Sequence, residues 1–83
     1  MAAQYETFIL SDPSEILQDK EQILEIRDTE TFETRKVKAV VSRDPKKLPD
    51  GVPLQVRWQR GQPLPELWRI KVLADLGSVI REA

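Results

Sequence analysis

Leu67-Trp68-Arg69-Ile70-Lys71-Val72-Leu73-Ala74-Asp75-Leu76 is the stretch whose reading decides the fold. Pro65 and Gly77 stand where a helix would open and close. On a helical wheel, however, its apolar residues spread all round, with Arg69 among them. As a strand, Trp68, Ile70, Val72, Ala74 and Leu76 line one face without exception. Arg69, Lys71 and Asp75 lie on the other face, with Leu67 and Leu73. The period-two reading is the better one. It makes Asp75-Leu76-Gly77-Ser78 a turn and Val79-Ile80 a short last strand. The rival over residues 74–83 is a terminal helix with Leu76, Val79, Ile80 and Ala83 in register. Gly77 argues against it without closing the question.

The stretch before it is the cleanest strand in the chain. Val52, Leu54, Val56 and Trp58 alternate with Pro53, Gln55, Arg57 and Gln59. Pro53 marks an edge or a strand start. Upstream, Asp44-Pro45-Lys46-Lys47-Leu48-Pro49-Asp50-Gly51 is a loop. Residues 32–43 read as a strand with Val37, Ala39 and Val41 on one face. It pairs with residues 22–28 through a turn near Thr29-Glu30-Thr31. Such a hairpin sets Glu25 and Glu33 near Lys36 and Lys38. Asp12, Pro13 and Glu15 form a helix-start signature, predicting a helix over residues 13–21. Ile16, Leu17, Ile23 and Leu24 would share its apolar face. Tyr5 to Leu10 reads as the first strand. The fold class is therefore α+β, mostly β: a small partly open barrel or antiparallel sheet of about five short strands, with one short helix after the first strand. SH3-like and OB-like barrels are the nearest architectures.

The chain has 83 residues and reads as one domain, 1–83, with flexible ends at 1–3 and 81–83. Its core is small and its stability marginal. Cysteine, histidine and asparagine are all absent. Disulfides, thiolate metal sites, imidazole proton transfer and N-glycosylation are thereby excluded. No EF-hand loop, nucleophile elbow or phosphate-cradling glycine loop occurs. No cofactor, catalytic or metal-ligating residue is assigned, and the expectation is a non-enzyme. The N-terminal residues lack a signal-peptide pattern, and no apolar run approaches a bilayer span. The expected location is cytoplasmic.

The strongest functional clue is the sorting of charge. Residues 1–34 hold nine acids against two bases, and residues 35–83 hold eleven bases against five acids. The halves carry −7 and +6 within an overall charge of −1. The candidate basic face is Lys36, Lys38, Arg43, Arg57, Arg60, Arg69 and Lys71. The candidate acidic face is Glu15, Asp19, Glu21 and Glu25. Opposed charged surfaces steer an asymmetric encounter. The leading expectation is a non-enzymatic adaptor or assembly subunit that binds protein partners, itself head to tail among them. The alternative is a small β-barrel that binds single-stranded nucleic acid on a basic sheet face. In that case Trp58 and Trp68 are the candidate base stackers, although both fall on apolar faces and read first as core anchors. A third outcome is that the acidic and basic arms pair within the fold. No membrane partner is expected.

The closing alternation, Leu67-Trp68-Arg69-Ile70-Lys71-Val72 through Gly77, is similar to the final strands of small β-rich phage head–tail joining proteins. The likeness implies a virion connector subunit, and with it a virion-associated location if the chain is of phage origin.

Overall fold

The computed structural model describes residues 4–7, 13–58 and 61–79. Seven strands account for most of them. They are β1 (Tyr5–Thr7), β2 (Glu21–Asp28), β3 (Thr34–Ser42), β4 (Val52–Gln55), β5 (Arg57–Trp58), β6 (Gln62–Pro63) and β7 (Trp68–Ser78). Five close into a barrel in the order β1-β2-β3-β7-β4. Four junctions are antiparallel. The fifth, β1 with β4, is parallel, pairing Tyr5 with Leu54 and Glu6 with Gln55. The remaining strands, β5 and β6, form a small two-stranded sheet.

Alternation places the core. Val37, Ala39 and Val41 of β3 point inward and are buried, as are Leu54 and Val56. Trp68 and Ile70 of β7 and Ile26 of β2 complete the interior with Ile16. Pro53 lies where β4 pairs only with β7, because β1 joins from Leu54 onward. Its missing N–H therefore breaks no ladder on the β1 side. The chain leaves the barrel after Val56, whose carbonyl accepts from Leu64 N at 2.9 Å. The expected strand through Trp58 is thus two pieces. Trp58 is half-buried in β5, outside the core, and only Trp68 is a core anchor.

The helix expected over residues 13–21 is reduced to a single 3-10 turn, Pro13–Glu15. The competing strand signal wins. β2 begins at Glu21 and pairs with β3 from Glu21↔Val40 to Arg27↔Thr34. A helix reaching residue 21 would remove the first rung of that ladder. The link between turn and strand instead lies along the end of β3, with Gln18 bridging Val41 and Asp19 N donating to Val41 O at 2.9 Å. Asp19 takes φ 60°, a conformation Asp tolerates better than most residues. Extended geometry splits the predicted apolar face. Ile16 goes inward, whereas Leu17 and Ile23 are exposed.

The hairpin of β2 and β3 forms as the sequence suggests. The expected turn at residues 75–78 does not, because β7 runs unbroken from Trp68 to Ser78. Two bulges carry it past β3. Lys38 faces Ala74 while Ala39 faces Val72, so Leu73 is an added residue. Lys36 faces Gly77 while Val37 faces Asp75, so Leu76 is another. Bulges increase local twist and let a long strand wrap a small barrel. They also break the period, which is why Ala74 and Leu76 are exposed although simple alternation turns them inward. Ile80 of the expected last strand, the ends 1–3 and 81–83 expected to be flexible, and residues 8–10 of the expected first strand lie outside the described residues.

Candidate functional site

The outer face of β2, β3 and β7 gathers three of the predicted basic residues. Register places Glu25 opposite Lys36, Ile23 opposite Lys38, and Glu21 opposite Val40. On the other side of β3, Lys38 faces Ala74 and Val40 faces Lys71. Lys36, Lys38 and Lys71 therefore share one surface with Glu21 and Glu25. Apolar side chains stand among them. Ile23 is 60% exposed, and the bulged residues Leu76 and Leu73 are 52% and 43% exposed. Lys38 Nζ reaches Glu21 Oε2 at 3.3 Å. Lys71 has no carboxylate partner among the described residues.

Of the other predicted basic residues that are described, Arg69 shares the Lys71 side of β7 by register but is drawn to a neighbouring loop, and Arg43 and Arg57 lie outside β2, β3 and β7. Arg57 donates to Glu6 Oε2 at 2.7 Å and to Gly61 O at 2.7 Å. Arg69 Nη1 faces the carbonyls of Leu48, Pro49 and Gly51 at 3.4–3.5 Å and ties down that loop. Arg43 pairs with Glu66 and lies over the Trp68 ring, 5.3 Å from its centroid. Arg60 lies outside the described residues. Of the predicted acidic residues, Glu15 is exposed in the 3-10 turn. Asp19 accepts from Lys47 Nζ at 3.2 Å, and hydrogen bonds from Ser42 and then Lys47 hold its carboxyl below the usual range.

The charge split of the sequence is thus largely folded back on itself. Lys38–Glu21, Lys47–Asp19, Arg57–Glu6 and Arg35–Glu33 each join a base from the second half to an acid from the first. Glu33 turns to Arg35 rather than to Lys36 or Lys38. Arg35 also donates to Asp75 Oδ2 at 2.6 Å and to Ser78 Oγ at 3.2 Å. Exposed pairs of this kind contribute roughly 0–1 kcal/mol each. Their consequence is electrostatic. They cancel much of the separate poles, Lys38 included, and among the outer-face lysines leave Lys36 and Lys71 without an ion pair among the described residues.

Three features escape sequence reasoning. Glu6 is a buried carboxylate in β1, yet it alternates with nothing that marks it as internal. Phe32 projects from the β2–β3 turn, 73% exposed. A half-open pocket of about 130 Å³ lies beside that turn, lined by Gln4, Tyr5, Thr29, Pro53, Gln55 and Leu67. Only the exposure of Leu73 was visible in advance, because alternation already puts it on the polar side of its strand.

Trp68 is buried and is not available for base stacking from the surface. Among the described residues no cluster of three or more metal-ligating side chains occurs, and no helix is long and apolar enough to cross a membrane. Comparison with protein-family models, curated proteins and solved structures found no match.

Proposed function

We propose that this chain is a non-enzymatic adaptor or assembly subunit that binds an acidic protein surface through the outer face of β2, β3 and β7. One observation carries the reading. Lys36, Lys38 and Lys71 stand there among exposed Ile23, Leu73 and Leu76, while Arg43, Arg57 and Arg69 are bound to Glu66, Glu6 and the carbonyls of residues 48–51. A face that mixes apolar anchors with positive charge offers a partner both area and orientation. A purely solvated face has no need of three large apolar residues.

The test is affinity capture on the immobilised chain at low salt, against a variant carrying Lys36→Glu and Lys71→Glu. The same captured protein should be held by the native chain and lost by the variant. Capture of an identical set by both chains, or of nothing by either, overturns the reading. Single-stranded nucleic acid is the second reading, favoured by the lysine row alone, since phosphate neutralisation needs no apolar side chains. Salt-sensitive oligonucleotide binding at micromolar protein, lost in the same variant, would move the assignment to it.

A further inference from the structure

The β2–β3 turn holds an aromatic residue in a conformation that aromatic residues avoid. Phe32 has φ 61°. Bulky side chains are rare there, and glycine or asparagine is the ordinary occupant. The turn is nonetheless tightly built. Asp28 Oδ1 accepts from Glu30 N at 2.8 Å and from Thr31 N at 3.3 Å. Phe32 N donates to Asp28 O at 2.8 Å, and Asp28 N donates to Glu33 O at 3.0 Å. A rigid frame therefore presents a ring that has no core to enter. Strain and exposure at one residue both disfavour phenylalanine in the isolated fold, which points to a role outside it.

The pocket lies next to this turn. Thr29 lines it, three positions from Phe32, and Thr29 N donates to Gln4 O at 3.1 Å, which joins the turn to the pocket wall. Tyr5, Pro53 and Leu67 supply apolar walls, and Leu67 is largely exposed. Its volume of about 130 Å³ is close to that of a cavity that admits a benzene ring. A knob and a hole side by side on one chain are what a two-fold axis requires, because each copy then fills the other.

We propose that two copies of this chain associate about a two-fold axis, the Phe32 ring of each entering the Tyr5–Pro53–Leu67 pocket of the other. The contact is small. Two inserted rings bury a few hundred Å², well below the roughly 1,200 Å² of a stable interface. The dimer is accordingly weak and concentration-dependent. Such a dimer sets the two turns side by side and brings exposed Glu30 toward its symmetry copy, so added salt tightens it. Binding at the lysine face loosens with salt, and the two contacts are therefore separable.

Sedimentation equilibrium on the full chain over a wide concentration range, at low and high salt, tests this. The native chain should dimerise, more tightly at high salt. Phe32→Gly relieves the backbone and keeps the fold, which a thermal melt confirms, and should weaken association about tenfold or more. Leu67→Lys should do the same from the pocket side. A mixture of the two variants should associate more than either alone, because one knob and one intact pocket then meet. A strictly monomeric native chain, or a dimer that Phe32→Gly leaves unchanged, overturns the proposal. Lys36→Glu with Lys71→Glu leaves this dimer intact, so failure of the partner reading and failure of this one are told apart.

Discussion

Glu6 and Arg57 are 51 positions apart in sequence, yet Arg57 Nε donates to Glu6 Oε2 at 2.7 Å. The carboxylate is buried in the barrel wall and also binds Arg27, whereas both arginines are partly exposed. The asymmetry predicts unequal costs. Glu6→Gln leaves arginines that water can reach, and should cost about 1–3 kcal/mol. Replacing Arg27 and Arg57 together by Met strands a buried charge, and should cost about 3–5 kcal/mol. Urea unfolding midpoints measure both. Equal losses would show that Glu6 is solvated in the fold.

Leu54 is fully buried where β4 meets both β1 and β7. Leu54→Ala should cost about 2–5 kcal/mol by cavity formation. In a domain holding only about 5–15 kcal/mol in total, that brings the chain close to unfolding at room temperature. Leu76→Ala, at an exposed bulge, should stay within about 0.5 kcal/mol. The same urea titration separates them.

Asp75 is held below the usual carboxylate range, first by the Arg35 guanidinium and then by Gly77 N–H. A group whose value falls on folding adds stability above its unfolded value and loses it as pH drops through the folded one. The window therefore opens below about pH 4. Asp75→Asn should show a smaller fall in urea midpoint between neutral pH and pH 3 than the native chain. An identical fall in both would mean that the Arg35–Asp75 contact does not persist in solution.

Gly77 has φ 116°, and a Cβ built there meets nothing within 4 Å. Substitution should therefore cost backbone strain alone. Gly77→Ala is expected to lose about 1–3 kcal/mol. D-alanine introduced by chemical synthesis accepts positive φ and should lose almost nothing. A comparable loss with both would point to a steric cause.

Strands were legible wherever one face is buried over several residues. Leu54, Val56, Trp68 and Ile70 announce themselves by period two, and β3 by Val37, Ala39 and Val41. The helix signature at residues 12–15 yields only a 3-10 turn over Pro13–Glu15, because nothing local reports that Glu21 is needed as a rung opposite Val40. Bulges are equally silent. Leu73 and Leu76 look like ordinary strand residues until pairing with β3 makes each of them one too many. The lysine row was legible because Lys36 and Lys38 sit two apart. The diversion of Arg57 and Arg69 was not, since Glu6 and the 48–51 carbonyls are distant in sequence. Phe32 gave no signal because its exposure depends on where a turn ends.

The parallel pairing of Tyr5 and Glu6 with Leu54 and Gln55 joins the two ends of the sheet. A sheet without ends offers no row of unsatisfied amides on which another chain can lay a strand. The barrel wall is thereby closed to strand addition and to cross-β stacking. Whatever this molecule binds on that wall, it must recognise through side chains rather than by extending its backbone ladder.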